Sequence, residues 1–426
     1  MGEHVPSGYK QTKVGVIPED WDVVKLGDIF QFKNGLNKGK EFFGHGTPIV
    51  NYVDVNKNNA LKVEDIKGLV SVAPSELQNH NVEKGDVFFT RTSETIDEIG
   101  LSAVILDDVE DTVFSGFVLR ARPTSKLLDN LYKKYCFTTY MTRKEIIKKS
   151  SYTTRALTNG RFLSEVIIAL PPLKEQQKIA QILTTWDDAI SKQEALIKAK
   201  EQLKKGLMQK LLSGEVRFDG FGGEWEEVLL EDIASIITTK NIDTSVDMIF
   251  SNSAVNGIVI QNEFFDKDIA NRDNLTGYYI VESGDFVYNP RISKHAPSGP
   301  INRNRHAFPG IVSPLYTVFR TSDNEIIDYL EFFFSSTLWF RYMKAIANYG
   351  ARYDRMNITN NDFMKMPIPY PSKEEQRKIA QALILVDKEI DLLSNELKTL
   401  KEQKRGLMQR LLSGEVRTNK IRERDR

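Results

Sequence analysis

The side chains in this sequence best suited to recognition chemistry gather in four polar clusters. The first, residues 32–40, reads FKNGLNKGK and sets Lys33, Asn34, Asn37, Lys38 and Lys40 among turn glycines. An asparagine amide can pair with adenine through two hydrogen bonds, and lysine neutralises phosphate. The same stretch also reads as an exposed polar hairpin. The second cluster, Arg91, Thr92 and Ser93, follows a β-rich run. Its counterpart later in the chain is NPRISKH over 289–295, with Asn289, Arg291, Ser293, Lys294 and His295, extended by Arg303 and Arg305. Short donors with one or two arginines at a strand end suit base edges and phosphates. The last two clusters are Arg-bearing loops, with Tyr152, Thr154 and Arg155 in one and Tyr349, Arg352, Tyr353 and Arg355 in the other. Arg155 and Arg355 stand 200 positions apart. Capping of the strand that follows is the alternative use of these loops.

Catalytic signatures are missing. The sequence holds no G-x-G-x-x-G, no P-loop, no H-E-x-x-H and no paired-cysteine motif. His4, His45, His80, His295 and His306 share no metal-ligand spacing, so no metal site is expected. Leu170 and Met366 precede proline-containing stretches, but a polar residue is missing where an adenine methyltransferase's Asn/Asp-Pro-Pro-aromatic motif needs one. The chain is expected to be no enzyme by itself.

Two near-copies of one stretch position these clusters. Residues 171–217 and 371–417 align without a gap and end in the identical LLSGEVR, so a duplicated unit organises the chain. In the second copy Ile379, Leu383, Val386, Ile390, Leu393, Leu397, Leu400, Leu407 and Leu411 step by fours and threes, with Lys404 interrupting. That is the seam of a coiled coil. The first copy carries it more weakly through Ile179, Leu183, Trp186, Ile190, Ile197, Leu207 and Leu211. Some 40 helical residues would span about 60 Å, and a stripe that long needs a partner helix of similar length. The duplicate is the obvious partner. Lys192, Lys198, Lys200, Lys204, Lys205 and Lys210 read as a solvated face.

A variable segment precedes each helix and reads mostly as strands and turns. Residues 1–14 are expected to be a loose lead-in. VEKGDVFFTR over 82–91 matches VESGDFVYNP over 281–290, each a Gly-Asp turn into a strand. A single further strand is expected at 114–120 and at 312–320, followed by helix over about 127–149 and 325–346. The fold class is therefore α+β, with two such domains alternating with two long helices packed as an antiparallel coiled coil. The expected divisions are 1–170, the helix 171–217, 218–370, the helix 371–417, and a charged tail over 418–426. Gly206 and Gly406, inside the helices at matching places, are expected to mark a close helix–helix or helix–partner approach, because glycine there costs about 1 kcal/mol.

Composition bounds the rest. Lys plus Arg and Asp plus Glu are both 58, so bulk charge names no partner and any nucleic-acid contact must be local. A lone cysteine, Cys136, excludes a disulfide framework and fits a reducing cytoplasm. No apolar run reaches membrane-spanning length, and no secretory leader is evident.

Two variable α+β segments, each followed by a helix that opens EQ-x-KIA and ends GLMQ(K/R)LLSGEVR, resemble the specificity subunit of a type I restriction-modification system. The resemblance covers the chain from about Trp21 to Arg417. It implies two target recognition domains, each reading one half of an asymmetric bipartite site on double-stranded DNA. It implies helices that space the domains and dock two methyltransferase subunits, with restriction motor-nuclease subunits joining for cleavage. S-adenosylmethionine would sit on the methyltransferases, no cofactor on this chain, and the complex would work in the cytoplasm. The competing reading is a coiled-coil assembly scaffold without DNA readout.

Overall fold

The computed structural model describes residues 5–264, 272–349 and 354–418, and the chain divides into two units. Unit 1 joins residues 1–193 to 396–426; unit 2 is the intervening 194–395. The long helices Leu173–Leu212 and Lys373–Leu412 each contribute one part to either unit.

Unit 1 is built on a five-stranded sheet in the order Phe30–Asn34, Val118–Pro123, Val87–Thr90, Ser102–Ile105, Ala60–Leu61, antiparallel except for the last pair. All four residues of Val87–Thr90 are buried, as a run flanked on both faces must be. One face packs on a core that includes Trp21, Tyr132, Tyr135 and Ile179; the other carries Phe88, Phe114 and Val118. Unit 2 repeats the plan with four antiparallel strands in the order Ala234–Ile237, Thr317–Thr321, Phe286–Tyr288, Ile301–Arg303.

The Gly-Asp turns are locked identically in both. Gly85 and Gly284 take φ of +89° and +90°, a left-handed conformation that favours glycine. The next residues, Asp86 and Asp285, are fully buried. Arg122 grips Asp86 through two bonds of 2.8 and 2.7 Å, and Arg320 grips Asp285 at 2.6 and 2.9 Å. These arginines sit on the neighbouring strand, so a paired charge pins the strand register.

The long helices run antiparallel. In unit 1 Lys404 pairs with Asp187, and Gln193 donates to Glu396 at 3.0 Å. In unit 2 Lys200 meets Glu389 at 2.7 Å and Lys204 meets Asp387 at 2.5 Å. Partner numbers fall as the first helix advances. Lys404, which breaks the apolar seam in the sequence, thus has an acid to meet, and the same exchange recurs with Lys204. Burial would raise the Asp187 carboxyl, but hydrogen bonds from Lys134, Lys404 and Tyr135 hold it below its usual value. Seam positions Ile179, Leu183, Leu211, Ile379, Leu383 and Leu411 are buried. Trp186, Ile190, Ile197, Leu207, Val386, Ile390, Leu393, Leu397, Leu400 and Leu407 are half-buried.

Each helix end is stapled to the other helix's start. In unit 1 the buried Glu175 carboxylate accepts from Arg417 at 2.9 and 3.0 Å and from Trp21 Nε1 at 2.9 Å. In unit 2 Glu375 accepts from Arg217 at 2.8 and 2.7 Å and from Trp225 Nε1 at 3.1 Å. Gly414, at φ +76°, ends its helix so that the chain can turn back; a Cβ there would meet Pro18 at 2.5 Å.

Several expectations change. The lead-in is partly a hairpin, Tyr9–Thr12 with Gly15–Pro18, tied by the Tyr9 hydroxyl to the Gly414 carbonyl at 2.9 Å. The expected strand at 114–120 is two strands, Val113–Phe114 and Val118–Pro123, in different sheets; that at 312–320 splits into Gly310–Val312 and Thr317–Thr321. A serine turn breaks each. The helical stretches break too, into Lys133–Cys136 and Tyr140–Lys149, and into Ile327–Ser335 and Phe340–Ile346. A Cβ on Gly206 or Gly406 would meet nothing within 4 Å, so the expected close helix–helix approach is not the reason for either glycine.

Candidate nucleic-acid interface

In unit 1 the start of the first cluster, Arg91 of the second and the end of the first Arg-bearing loop, residues 150–162, converge. A cleft of about 350 Å³ is lined by Phe32, Lys33, Asn34, Arg91, Leu119, Asn159, Gly160 and Arg161. Lys33 and Asn34 end the edge strand; Arg91 directly follows the buried central one. Thr92 and Ser93 pair with Leu157 and Ala156, and Ser151–Tyr152 pairs on the far side of that strand, so the Arg-bearing loop is sewn to the strand end. The Thr158 N–H donates to the Arg91 carbonyl at 3.0 Å. Asn159 caps the helix Gly160–Ser164, its side chain accepting from the Phe162 N–H at 3.0 Å, and Arg161 thereby stands at the cleft.

Unit 2 makes the same join. Arg291 and Arg355 form an antiparallel backbone bridge, supported by Ile292 N–H to Asp354 O at 2.9 Å and Met356 N–H to Pro290 O at 3.0 Å. They line a cleft of about 370 Å³ with Asn252, Asn289, Leu315 and Tyr316 among its walls. Buried Asn252 donates to Val287 O at 2.6 Å and Pro300 O at 3.1 Å, and its oxygen accepts from Asn302 at 2.6 Å. Asn289 donates to Asn252 O at 3.0 Å and to the Tyr316 hydroxyl at 3.3 Å. Burial pushes the Tyr316 hydroxyl above its ordinary value, keeping it a neutral donor. The amides of Asn252 and Asn289 spend their N–H donors inside the protein and so form a fixed floor beneath Arg291 and Arg355, whose guanidinium groups have the charge and geometry that suit phosphate.

Other candidates lie elsewhere or are engaged. Lys38 is paired with Glu76 at 2.7 Å, and Lys33 also donates to Asn79 O at 2.5 Å. The chain after Gly35 is bonded to the sheet edge through Leu36, whose N–H donates to Phe114 O at 2.8 Å, so this stretch is no free hairpin. Asn37 and Lys40 are exposed beyond it. Arg155 is exposed and meets Glu94 at 3.0 Å; Tyr152 and Thr154 are also exposed. Arg303 is held by Asp328 at 2.7 Å and Glu331 at 3.3 Å, and Arg305 by Glu331 at 2.6 Å, which ties both to the helix Ile327–Ser335. Ser293 caps a turn by accepting from the Ala296 N–H at 3.1 Å, while Lys294 and His295 are exposed. Arg352 and Tyr353 lie outside the described residues, and of Tyr349 only the backbone is described, in the short strand Asn348–Tyr349.

Sequence reasoning missed Arg161, Asn159, Asn252 and Tyr316. Asn159 and Arg161 lay in the first Arg-bearing loop, residues 150–162; Asn252 and Tyr316 look like ordinary strand and turn residues in sequence. Among the described residues no cluster of His, Cys, Asp or Glu could hold a metal ion, and no helix is long and apolar enough to cross a membrane.

Comparison with known proteins gives concordant results. The family model for the type I restriction modification DNA specificity domain matches twice, over residues 18–201 and 222–402. The type I restriction enzyme MjaVIII specificity subunit of Methanocaldococcus jannaschii is 23% identical, with 95% of each chain covered. The fold is similar to that of a chain solved in work on complex assembly and conformational transition of the type I R-M system (TM-score 0.55, 15% identity, 94% of this chain and 99% of that one). It is also similar to the HsdS subunit from Thermoanaerobacter tengcongensis (TM-score 0.50, 17% identity, 94% and 98%).

Proposed function

The chain belongs to the type I restriction-modification DNA specificity family, and from that premise we propose that each of its two target recognition domains reads one half of an asymmetric, bipartite DNA site. It is the non-catalytic specificity subunit of such a system, part of a complex that binds DNA. The unread gap between the half-sites is set by the paired helices. Those helices dock two methyltransferase subunits, which hold S-adenosylmethionine, flip the target base and modify it; restriction motor-nuclease subunits complete the assembly in the cytoplasm. The recognition segments are 1–170 and 218–370, joined by helices 171–217 and 371–417, with 418–426 as a tail.

One observation carries the reading. In both units an Arg-bearing loop is hydrogen-bonded to the end of the central strand, bringing Arg91 beside Lys33, Asn34 and Arg161, and Arg291 beside Arg355 and Asn289. These seven side chains are the proposed phosphate and base contacts. Local clefts of this kind reconcile DNA binding with a chain of zero formal net charge, the partner subunits sharing the phosphate contacts.

The test is a base-resolved methylome of a methylation-free host that co-expresses this chain with its methyltransferase. Modified adenines on both strands of one two-block motif are expected, and exchange of 218–370 for another subunit's segment should change one block only. Methylation that persists without this chain, or without a bipartite motif, would favour the scaffold reading.

A further inference from the structure

A repeated feature lies at the rim of each cleft. The two expected strands that the structure splits are broken by matching turns, Ser115-Gly116-Phe117 and Ser313-Pro314-Leu315. Each serine hydroxyl accepts the N–H of the residue two positions on, at 3.4 Å from Phe117 and 3.3 Å from Leu315. The strands that follow run in equivalent registers. Leu119 faces Phe89 and Thr317 faces Tyr288, each on the strand after the Gly-Asp turn, and Arg122 and Arg320 make the same lock to Asp86 and Asp285. Phe117 and Leu315 are therefore counterparts.

Both are large, apolar and turned to solvent, with 65% and 59% of their surface exposed. A single exposed apolar side chain is ordinary. Two at one structural position, in domains whose sequences otherwise differ, ask for a cause. Neither belongs to a core cluster, and each adjoins an arginine of its cleft. The Arg91 N–H donates to the Phe117 carbonyl at 3.2 Å and its guanidinium reaches the Gly116 carbonyl at 3.4 Å, while Leu315 lines the cleft of Arg291 and Arg355. An apolar tip among phosphate-binding cations is a combination that DNA readers use on base faces, thymine methyl groups and base steps.

We infer that Phe117 and Leu315 are a matched pair of base-contacting side chains, one in each recognition domain, that press against a base of the half-site their domain reads. The inference rests on the interface reading above and adds specificity determinants that carry no charge. A neutral contact to a base strengthens binding to the correct half-site and leaves the electrostatic, sequence-independent affinity alone.

The experiment uses the full chain assembled with its methyltransferase, and fluorescent duplexes carrying the motif found by the methylome, the motif with one block scrambled, or no motif. Phe117→Ala should weaken binding to the complete site roughly 5- to 150-fold, the range of one apolar base contact. The motif-free affinity and the salt dependence should stay as in the wild type, which also reports that the variant is folded. With the block of the first domain scrambled, Phe117→Ala should have no further effect and Leu315→Ala should retain its own. Wild-type binding by both alanine variants, with Arg91→Ala and Arg291→Ala weakened, would overturn the inference and leave the interface standing. Equal weakening on all duplexes would also overturn it. Wild-type binding by the arginine variants as well would remove the interface itself.

Discussion

Removing the carboxylate of Glu175 should release the end of the second long helix from the start of the first. Glu175 is 7% exposed and accepts from a fully buried Trp21 indole and, through both its oxygens, from the Nε and Nη2 edge of the Arg417 guanidinium. The Thr418 N–H donates to it as well, at 3.3 Å. In Glu175→Ala the indole N–H loses its partner in a dry environment, at about 1–3 kcal/mol. Arg417 retains Asp20 at 2.6 Å, whose side chain is half-exposed, so the lost ion pair adds less than the full penalty for stranding a buried charge. The sum is about 3 kcal/mol. For a unit of this size 1 kcal/mol corresponds to roughly 2–4 °C, so the unit 1 transition should fall by roughly 6–12 °C. Amide exchange should quicken at Leu411 to Thr418 and leave the Gly-Asp turn at Asp86 protected. Glu175→Gln keeps an acceptor for Trp21 and should lose less. A double-mutant cycle with Arg417→Met should show the two changes to be non-additive. A transition within 1 °C of the wild type, with unchanged exchange at the helix end, would refute the reasoning.

Two further perturbations test other parts. Lys133 is buried, its ammonium donating to Gly85 O at 3.0 Å and Asn130 at 2.6 Å, and burial pushes its pKa down to about 8. The folded value lies below the unfolded one, so the unfolded chain binds more protons between them and stability should rise with pH from about 8 towards 10, by about 3 kcal/mol at most. Denaturation across that window should show the rise in the wild type and its loss in Lys133→Met; parallel profiles would refute it. Gly206→Ala and Gly406→Ala meet open space, so in the lone chain each should stabilise its helix by about 1 kcal/mol. If the methyltransferase approaches closely there, the double variant should bind it at least 10-fold more weakly (about 1.4 kcal/mol); equal affinity would exclude that role.

The repeat, the length of the long helices and their apolar seam are local or periodic properties, and the chain states them directly: Ile179 and Ile379 recur 200 positions apart and each helix is 40 residues long. The Gly-Asp turns are equally local, since φ near +90° selects glycine at Gly85 and Gly284. The family likeness follows from the same repeat. Tertiary structure alone decided which polar residues meet. Arg91 and Arg161 are 70 positions apart and share a cleft only because a loop pairs with a strand end, whereas Arg303 and Arg305, close in sequence to Arg291, are drawn off by acids on a helix. Charge type is visible in sequence; the partner that neutralises it is not. The strand breaks at Ser115 and Ser313 escaped the period-2 pattern for a similar reason: each turn is closed by a backbone bond from the serine carbonyl to the N–H three residues on, at 3.0 Å, with the serine hydroxyl accepting a further N–H, and the surrounding residues remain good strand formers. The staple of Glu175 by Arg417 joins residues 242 apart, and that pairing exists only once the two helices lie antiparallel.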